Sequence, residues 1–189
     1  MATKVRIIGL DPGLRHTGWG IIEVEGTRLS YIADGAVHSV NEDDLATRLL
    51  QIHQQILAVF AEYSPDEAAI EETFVNSDAR ATLKLGQARG VVMLAPVLHK
   101  VGVAEYAPNV IKKTVVGNGH AEKDQVKHMV KILLPRAELK TADSTDALAI
   151  AICHAQHRGH NALREKLGAQ PAKTGDIHEK ALRQIKRRS

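Results

Sequence analysis

The sequence predicts an α/β layer fold in which helices flank a mixed five-stranded sheet, and three observations support it. The first three segments are strand-like and separated by short turns, which predicts an antiparallel meander. Helical and strand-like patterns alternate after them, as in sheets whose later strands are joined through helices. The 189 residues, 44% of them hydrophobic, suffice for one well-buried domain and are too few for two full enzymatic domains.

The opening meander consists of predicted strands at residues 5–11, 19–24 and 29–37. The first strand is mostly apolar and ends at a turn sequence, Asp11-Pro12-Gly13. Glu25-Gly26 is a hairpin turn between the second and third strands. Because strands joined by such short turns usually pair with each other, these three are expected to form one half of the sheet.

The rest of the chain alternates between helix and strand. Periodic apolar residues predict a helix over residues 45–63, which Ser64-Pro65 ends. The further predicted elements are a strand at 67–71, a helix at 79–100, a strand at 101–106 and helices at 108–116, 122–134 and 143–157. The last helix is apolar on nearly every face, so it is expected to be buried.

Charge is distributed unevenly along the chain. Residues 155–189 hold nine Lys or Arg and three acids, which leaves a net charge of −3 for the preceding residues because the total is +3. We therefore expect a folded domain over residues 1–159 and a basic, loosely ordered tail over 160–189. Such a tail suits a polyanionic partner, although on charge alone a merely solubilising tail explains it equally well.

The composition also indicates where the protein resides. No apolar run approaches the roughly 18 residues that a membrane-spanning helix needs, and the amino terminus leads into a strand instead of a signal sequence. The expectation is a cytoplasmic protein without a membrane partner. Cys153 is the single cysteine, so it forms no internal disulfide, and its apolar surroundings predict a small buried hydrophobe.

Four carboxylates fall at the predicted ends of adjoining elements. Asp11 ends the first strand, Glu71 ends the strand at 67–71, and Asp143 and Asp146 share one face at the start of the last helix. If that face packs on the strand ends, the four acids converge, and two such charges about 4 Å apart repel by roughly 4 kcal/mol at an effective dielectric of 20. The pattern predicts a divalent cation site. Oxygen-only ligands suit Mg²⁺ and Mn²⁺, and a pair of these ions promotes phosphodiester cleavage.

Each acid has a simpler explanation when it is taken alone. Asp11 could begin a Pro-Gly turn, and Asp143 could be the N-cap of a capping box whose acid is Asp146. Glu71 and Glu72 could be two solvated charges after a strand. These explanations leave unexplained why all four acids lie at element ends, so the metal site and the structural roles both remain open from the residues alone.

Five motifs, in this order over residues 5–157, closely resemble those of the RuvC family of bacterial Holliday junction resolvases. The resemblance implies an RNase H-like fold and a homodimeric, Mg²⁺-dependent endodeoxyribonuclease. The motifs are Ile8-Gly9-Leu10-Asp11-Pro12-Gly13 with Thr17-Gly18-Trp19-Gly20, then Ala69-Ile70-Glu71-Glu72-Thr73-Phe74, Leu83-Lys84-Leu85-Gly86-Gln87-Ala88-Arg89-Gly90-Val91, Lys113-Thr114-Val115-Val116-Gly117-Asn118-Gly119-His120-Ala121-Glu122-Lys123 and Ala142-Asp143-Ser144-Thr145-Asp146-Ala147-Leu148-Ala149-Ile150-Ala151.

The resemblance assigns roles to individual residues. It implies that Asp11, Glu71, Asp143 and Asp146 bind two Mg²⁺ ions per subunit, with Mn²⁺ as a substitute, and that these four acids are catalytic. It implies that Lys112 and Lys123 contact DNA near the scissile phosphate, although solvated lysines are the ordinary alternative. Phe74 is implied to wedge into unpaired bases at the crossover, whereas the default for a phenylalanine is a core position.

The resemblance also implies partners and a reaction. Gly86 and Gly90, with Ala88 and Ala95 nearby, would allow close approach of a second copy to the helix at 79–100, while packing on the sheet is the alternative. Two-fold symmetry would place two sites for paired cuts in strands of like polarity across a four-way junction, during recombination and repair. The RuvA–RuvB branch-migration complex is an implied partner in the bacterial cytoplasm.

Some residues depart from the family pattern or favour other functions. Glu72 stands where relatives often have an amide, the Lys112-Lys113 pair blurs which lysine reaches DNA, and nothing is carried over onto the basic tail. An actin-like or sugar-kinase-like ATPase shares the Asp-Pro-Gly turn but needs a second domain. A junction-binding module without chemistry would not need all four acids. A zinc half-site at His154, His157 and His160 is less favoured than an exposed helix end.

Overall fold

The computed structural model describes residues 3–72 and 78–166, with side chains described through residue 158. In these ranges the strands are β1 (Lys4–Asp11), β2 (His16–Glu25), β3 (Arg28–His38), β4 (Glu67–Glu71) and β5 (Val103–Tyr106). The helices are α1 (Leu45–Tyr63), α2 (Ala79–Leu98), α3 (Pro108–Val116), α4 (Lys123–Leu133) and α5 (Ala142–Lys166). The predicted order of strands and helices is confirmed.

The strands form one mixed sheet in the order β3-β2-β1-β4-β5. β2 runs antiparallel to both of its neighbours, whereas β4 runs parallel to β1 and β5. The predicted mixed five-stranded sheet is therefore confirmed. β1, β4 and β5 all end on the same side, which we call the carboxyl end of the sheet, and β2 begins there because Asp11 pairs with Gly18.

Alternate residues of the central strand face two separate cores. Ile7 faces a core shared with α3, α4 and α5, while Ile8 and Leu10 face a core shared with α1 and α2. Both cores are fully buried at these positions. This alternation follows from the two-residue period of a strand, and it explains why consecutive positions in the middle of β1 are apolar.

Helix α5 lies directly on the sheet because glycines leave room for its backbone. A Cβ added to Gly9 would lie 2.0 Å from the carbonyl oxygen of Ala147, and one added to Gly18 would lie 2.1 Å from that of Asp143. Residues 147–153 are at most 1% exposed, as predicted, and Cys153 is among them. The beginning of α5 is therefore held against the carboxyl end of β1 and the beginning of β2.

Two predictions about α5 are wrong. The helix was expected to end at His157, but it continues to Lys166, because Gly159 weakens a helix by only about 1 kcal/mol relative to Ala and good helix formers follow it. His154 was expected at an exposed helix end, but it is buried: its Nδ1 lies 2.8 Å from the Tyr106 hydroxyl and its Nε2 lies 2.9 Å from a Glu67 carboxylate oxygen.

Across residues 3–72 and 78–166, no helix combines the length and the apolar character that crossing a bilayer requires.

Candidate active site

A cleft of about 330 Å³ opens at the carboxyl end of the sheet, on the side of α3, α4 and α5. Three of the four predicted acids line it, together with both predicted DNA-contacting lysines: Asp11, Glu71, Asp146, Lys112 and Lys123. Apolar residues of the helices form its remaining walls. The fold thus brings together, from five separate elements, charged side chains that are up to 135 positions apart in the chain.

Asp11 is not the residue that closes the turn after β1. The Thr17 hydroxyl donates to the Gly13 carbonyl oxygen at 2.7 Å and accepts from the Gly13 amide at 3.2 Å, and Thr17 is completely buried. Because Thr17 satisfies the turn, the carboxylate of Asp11 remains available to the cleft. Among the described residues, the hydrogen bonds within this turn come from Thr17 and not from the Asp11 side chain.

The acids at the strand ends are held where an isolated negative charge is unfavourable. Burial, followed by repulsion from Glu71, Asp146 and Asp143, raises the pKa of Asp11 to about 8. Burial and repulsion from Asp146 raise the pKa of Glu71 to about 7, although Lys112 and Lys123 oppose this shift. A nearby cation would relieve both the burial cost and the repulsion, so the electrostatics of these two carboxyls suit a cation site.

Asp146 lies between the acids and the lysines. Burial raises the pKa of its carboxyl, and the attraction of Lys123 opposes the shift. The ammonium nitrogen of Lys123 lies 3.6 Å from the Asp146 carboxylate. This pair is loose and largely exposed on the lysine side, so it leaves Lys123 free to turn toward an anionic ligand.

Asp143 stands beside the cleft and does not line it. It was considered as the N-cap of α5, but Thr141 has that role: the Thr141 hydroxyl oxygen accepts from the Ser144 amide at 3.1 Å. The carboxylate of Asp143 is near enough to Asp11 to raise the pKa of that carboxyl. The N-cap explanation of Asp143 is therefore wrong, and the acid faces the same cluster from its rim.

Arg89 is a residue near the site that the sequence did not single out. From α2, its Nε donates to the main-chain carbonyl of Glu71 at 3.1 Å, and its guanidinium also pairs with the Glu105 carboxylate of β5. On the other side of the chain, the amide of Glu72 donates to the Tyr106 carbonyl at 2.9 Å. The end of β4 is thus fastened at two points. The only sequence signal was an arginine inside a helix that was otherwise considered for dimerisation.

The remaining residues that the sequence singled out differ in where they lie. Lys112 lines the cleft, whereas Lys113 is exposed and is not part of the lining, which separates the two members of the lysine pair. Glu72 is exposed and does not line the cleft either. Phe74 lies outside the described residues.

The acidic cluster is not arranged to hold a metal ion as it stands. In the described parts of the chain, no three or more His, Cys, Asp or Glu side chains are placed to do so. The donor set nevertheless fits a hard divalent cation, because its members are carboxylates and because burial and mutual repulsion raise the pKa of Asp11 and Glu71.

Helix α2 presents a second surface of interest. Its inner side is buried on the core through Ala88, Val92 and Ala95. Its outer side carries an apolar stripe at helical spacing, in which Leu83, Leu94, Val97 and Leu98 are 64%, 52%, 42% and 63% exposed. An added Cβ at Gly86 or Gly90 meets nothing within 4 Å, so both glycines lie on this open side. Ala88 and Ala95, expected near a partner helix, instead pack internally.

Comparison with known sequences identifies the family. The sequence model of the family described as crossover junction endodeoxyribonuclease RuvC matches residues 7–154. The crossover junction endodeoxyribonuclease RuvC of Rhodopseudomonas palustris strain BisB18 is 63% identical over 162 residues, which are 86% of this chain and 93% of that protein. The protein of the same name from Bradyrhizobium diazoefficiens is 61% identical over 163 residues, covering 86% and 93%.

Comparison with solved structures supports the same conclusion. A structure of Thermus thermophilus RuvC in complex with Holliday junction substrate matches with a TM-score of 0.78 at 31% identity, covering 83% of this chain and 96% of that one. The predicted RNase H-like fold is confirmed by this likeness. The chain therefore belongs to the RuvC family of crossover junction endodeoxyribonucleases, and it is a DNA-cleaving hydrolase.

Proposed function

We propose that this protein resolves Holliday junctions during homologous recombination and DNA repair, by Mg²⁺-dependent paired cuts in two strands of like polarity. The observation that supports this most strongly is the cleft, in which three carboxylates and two lysines meet at the carboxyl end of the sheet. Acids suit a divalent cation, and lysines suit the phosphate that is to be cut. Membership of the RuvC family makes a four-way junction the natural substrate.

The reaction is hydrolysis of a phosphodiester. One water molecule is added across one P–O bond, so that the bond to the leaving oxygen breaks and a phosphate monoester and a hydroxyl remain. The carboxylates orient and accept protons from water, and Lys112 and Lys123 offset the negative charge that develops on the phosphate. Because the cleft is narrow and partly apolar, these charges interact more strongly there than they would in bulk water.

Asp11, Glu71, Asp143 and Asp146 are the proposed ligands of two Mg²⁺ ions per subunit, with Mn²⁺ as a substitute. A divalent cation in this cluster would supply Lewis acidity and lower the pKa of a bound water. The raised pKa values of Asp11 and Glu71 favour this assignment, because buried carboxyls that repel each other gain most from a shared cation. The buried beginning of α5 would limit how far its two acids can move.

Lys112 and Lys123 are the proposed DNA contacts beside the scissile phosphate. They project from α3 and from the first residue of α4 into one cleft, so both can reach a single phosphate or two successive ones. Phe74 is the proposed wedge at the crossover. It follows Glu71 by three positions, which would keep an inserted ring near the cut strand.

The proposed assembly is a homodimer that forms through the exposed apolar stripe of α2. Four large hydrophobic side chains on one helical face are an unusual exposure for a monomer, and the two glycines between them permit close helix approach. A two-fold axis through this helix would supply the second active site that paired cutting requires. Each subunit would then cut one strand.

We further propose a nuclease domain over residues 1–159 followed by a basic tail over 160–189. The tail would add sequence-independent affinity for DNA, which deleting residues 160–189 tests through the salt dependence of binding. The bacterial cytoplasm is the proposed location, since recombining chromosomal DNA lies there. The RuvA–RuvB branch-migration complex is the proposed partner, and co-sedimentation on a four-way junction tests that association.

The decisive variant is Asp146→Asn, which removes one negative charge from the cleft with little change in shape. It should bind four-way junctions and lose at least about a thousandfold in cleavage rate with Mg²⁺, which is about 4 kcal/mol of activation free energy. Asp124→Asn, in an exposed acid that does not line the cleft, is the matched control and should cut normally. Undiminished cleavage by Asp146→Asn would exclude the proposed chemistry.

A substrate panel separates junction resolution from general nuclease activity. Cleavage of a synthetic four-way junction is compared with that of linear duplex, single-stranded DNA and an RNA–DNA hybrid at equal nucleotide concentration. A resolvase cuts the junction at paired symmetric positions and leaves the other substrates nearly intact. Equal cutting of the hybrid or of the duplex would instead indicate a general RNase H-like nuclease.

A further inference from the structure

A second groove lies on the opposite face of the sheet from the cleft. We call it the basic groove. It is open to solvent, has a volume of about 620 Å³, and is lined by three cationic side chains, Arg15, Arg48 and Lys84, together with Leu14, Asn41 and Ala81. No acid is part of its lining among the described residues. None of its side chains has a role in the proposed chemistry, so its charge requires a separate explanation.

The basic groove is located at the same end of the sheet as the cleft. Arg15 belongs to the loop between β1 and β2, four positions after Asp11. Arg48 is in the first turn of α1 and Lys84 is in the second turn of α2, two helices that begin where β3 and β4 end. Lys112 and Lys123 approach the acids from the α3 and α4 side, so cations flank the acidic cluster on both faces.

The three cations differ in how they are held. Arg48 is fixed, because its guanidinium donates to the Ser39 hydroxyl at 2.9 Å and to the Leu14 carbonyl at 3.3 Å. Arg15 and Lys84 are exposed, and neither forms a salt bridge within the described residues. One fixed arginine and two exposed cations in a single groove would suit a ligand that carries several negative charges.

Two acids close to the groove in the sequence cap helices. Asp44 accepts hydrogen bonds from the amides of Ala46 and Thr47 as the N-cap of α1. Asp78 accepts from the amides of Arg80 and Ala81 as the N-cap of α2. None of the salt bridges among the described residues joins an acid to Arg15 or Lys84.

We infer that the basic groove binds backbone phosphates of a junction arm as that arm leaves the cleft. This inference rests on the proposed function, because it takes the strand that is cut in the cleft and follows the same duplex across the end of the sheet. The groove contacts phosphates and not base edges, since lysine and arginine on an open, shallow surface recognise charge without sequence. It therefore orients the junction and contributes affinity.

The test is the salt dependence of junction binding. The double variant Arg15→Gln/Lys84→Gln removes both exposed cationic side chains. Arg48 is left unchanged because its hydrogen bonds hold two loops. The matched control is Arg28→Gln/Lys100→Gln, which removes one arginine and one lysine from exposed positions at the opposite end of the sheet and of α2. For each protein, the dissociation constant for a four-way junction is measured at about six KCl concentrations between roughly 50 and 300 mM. Mg²⁺ and Ca²⁺ are omitted, so that the junction is not cut during the measurement.

The double groove variant should lose about one unit of the slope of log affinity against log salt for each cation, so about two in total. Its affinity at low salt should fall about tenfold, equally for junctions of different sequence. The control should keep the wild-type slope, and thermal unfolding should show that both variants are folded. Equal slopes for the groove variant and the wild type would overturn the inference.

Two further outcomes separate this inference from its alternatives. If the wild type neither binds nor cuts four-way junctions, the proposed function fails and the groove fails with it. If the wild type both binds and cuts four-way junctions, and the groove variant keeps the wild-type slope, the groove inference fails and the proposed function stands. Acetylation of Lys84 supplies a further test. If inorganic phosphate protects Lys84 in a saturable way and junction DNA does not, the groove is a site for free anions and the inference is overturned.

Discussion

Helices α5 and α2 cover opposite faces of the sheet, but they differ in what lies against their outer sides. α5 is enclosed, with residues 147–153 at most 1% exposed between the sheet and the smaller helices. α2 is enclosed on one side only, and Leu83 and Leu98 on its other side are 64% and 63% exposed. The enclosed helix carries two of the acids, and the half-enclosed helix carries the apolar stripe. Rigid packing fixes the position of charged groups, while an unfilled face is available for association.

The largest effect should come from filling the contact between α5 and the sheet. Gly9→Ala would place a Cβ 2.0 Å from the Ala147 carbonyl oxygen, so α5 must move away from β1. The free energy of unfolding should fall by about 3 kcal/mol or more, measured by urea denaturation without metal, and junction cleavage should fall with it.

Gly102→Ala, in the loop before β5 and away from the apolar stripe of α2, is the matched control for this substitution. Nothing lies within 4 Å of the added Cβ, so the free energy of unfolding should change by no more than about 1 kcal/mol. A Gly9→Ala protein as stable as the wild type would show that α5 does not depend on backbone contact with β1.

A charge in the apolar stripe of α2 should weaken dimerisation and leave the stability of the subunit nearly unchanged. Leu94→Glu places a charge on the open face, so dimerisation should weaken about a hundredfold, which is about 2.7 kcal/mol. At concentrations where both proteins are monomeric, the free energy of unfolding should change by no more than about 0.5 kcal/mol. Sedimentation equilibrium measures the first quantity and denaturation measures the second.

Ile132→Glu in α4 is the control for the stripe, because Ile132 is 55% exposed on a different helix. It should leave the molecular mass in solution unchanged. Wild-type protein that sediments as a monomer at micromolar concentration would contradict the proposed dimer and, with it, the paired-cut mechanism.

Arg89 connects the two regions, since it extends from α2 to the end of β4. Arg89→Gln removes the donor to the Glu71 carbonyl and the pairing with Glu105. Single-turnover cleavage at saturating junction should fall about thirtyfold, which corresponds to about 2 kcal/mol. The Mg²⁺ concentration for half-maximal rate should rise, because Glu71 is less well positioned.

Arg89→Lys should restore part of the rate, since one donor can still reach the carbonyl. A general loss of structure would lower the unfolding free energy of both variants equally and would not be rescued in this way. If the Mg²⁺ concentration for half-maximal rate is the same in Arg89→Gln and the wild type, Arg89 does not position Glu71.

The smallest effect concerns the electrostatic cost of the acids in the metal-free protein. The pKa of Asp11 is raised to about 8 from an ordinary value of 3.8, so the folded state disfavours its charged form. Metal-free wild type should therefore lose stability as the pH rises from about 4 to about 8. Asp11→Asn lacks this cost and should be more stable by about 1 to 2 kcal/mol above pH 8, after solvent screening.

Thermal unfolding across this pH range checks the sign. The two proteins should be equally stable below about pH 3, where Asp11 is protonated in both the folded and the unfolded state. Mg²⁺ should stabilise the wild type more than Asp11→Asn. An advantage of Asp11→Asn that shrinks with rising pH would contradict the assigned cost.

The sequence was sufficient for the order of elements and for the position of Asp11 and Glu71 at strand ends, because both depend on local apolar patterns. It was insufficient wherever a long-range contact decided the outcome. The burial of His154 depends on Tyr106 and Glu67, which come from two different strands. The role of Arg89 depends on a carbonyl 18 positions away.

Capping shows the same limit at shorter range. Asp143 and Thr141 are both acceptable N-caps by residue type, and the first residue of the helix decides between them. The helix begins at Ala142, so Thr141 has the cap and Asp143 does not. Boundaries of this kind shift by one or two residues without changing the sequence pattern, which is why the pattern left both explanations open.

The beginning of α5, which the Thr141 hydroxyl caps, contributes to the electrostatic potential of the cleft. The beginning of α5 points toward the acidic cluster, and a helix start carries the equivalent of roughly half a positive charge from its aligned peptide dipoles. Asp143 lies in the first turn of that helix, where this potential is strongest, and Asp146 lies at the start of the second turn. The fold thus supplies a permanent partial counter-charge to its own carboxylates, which is present before any ion or DNA arrives.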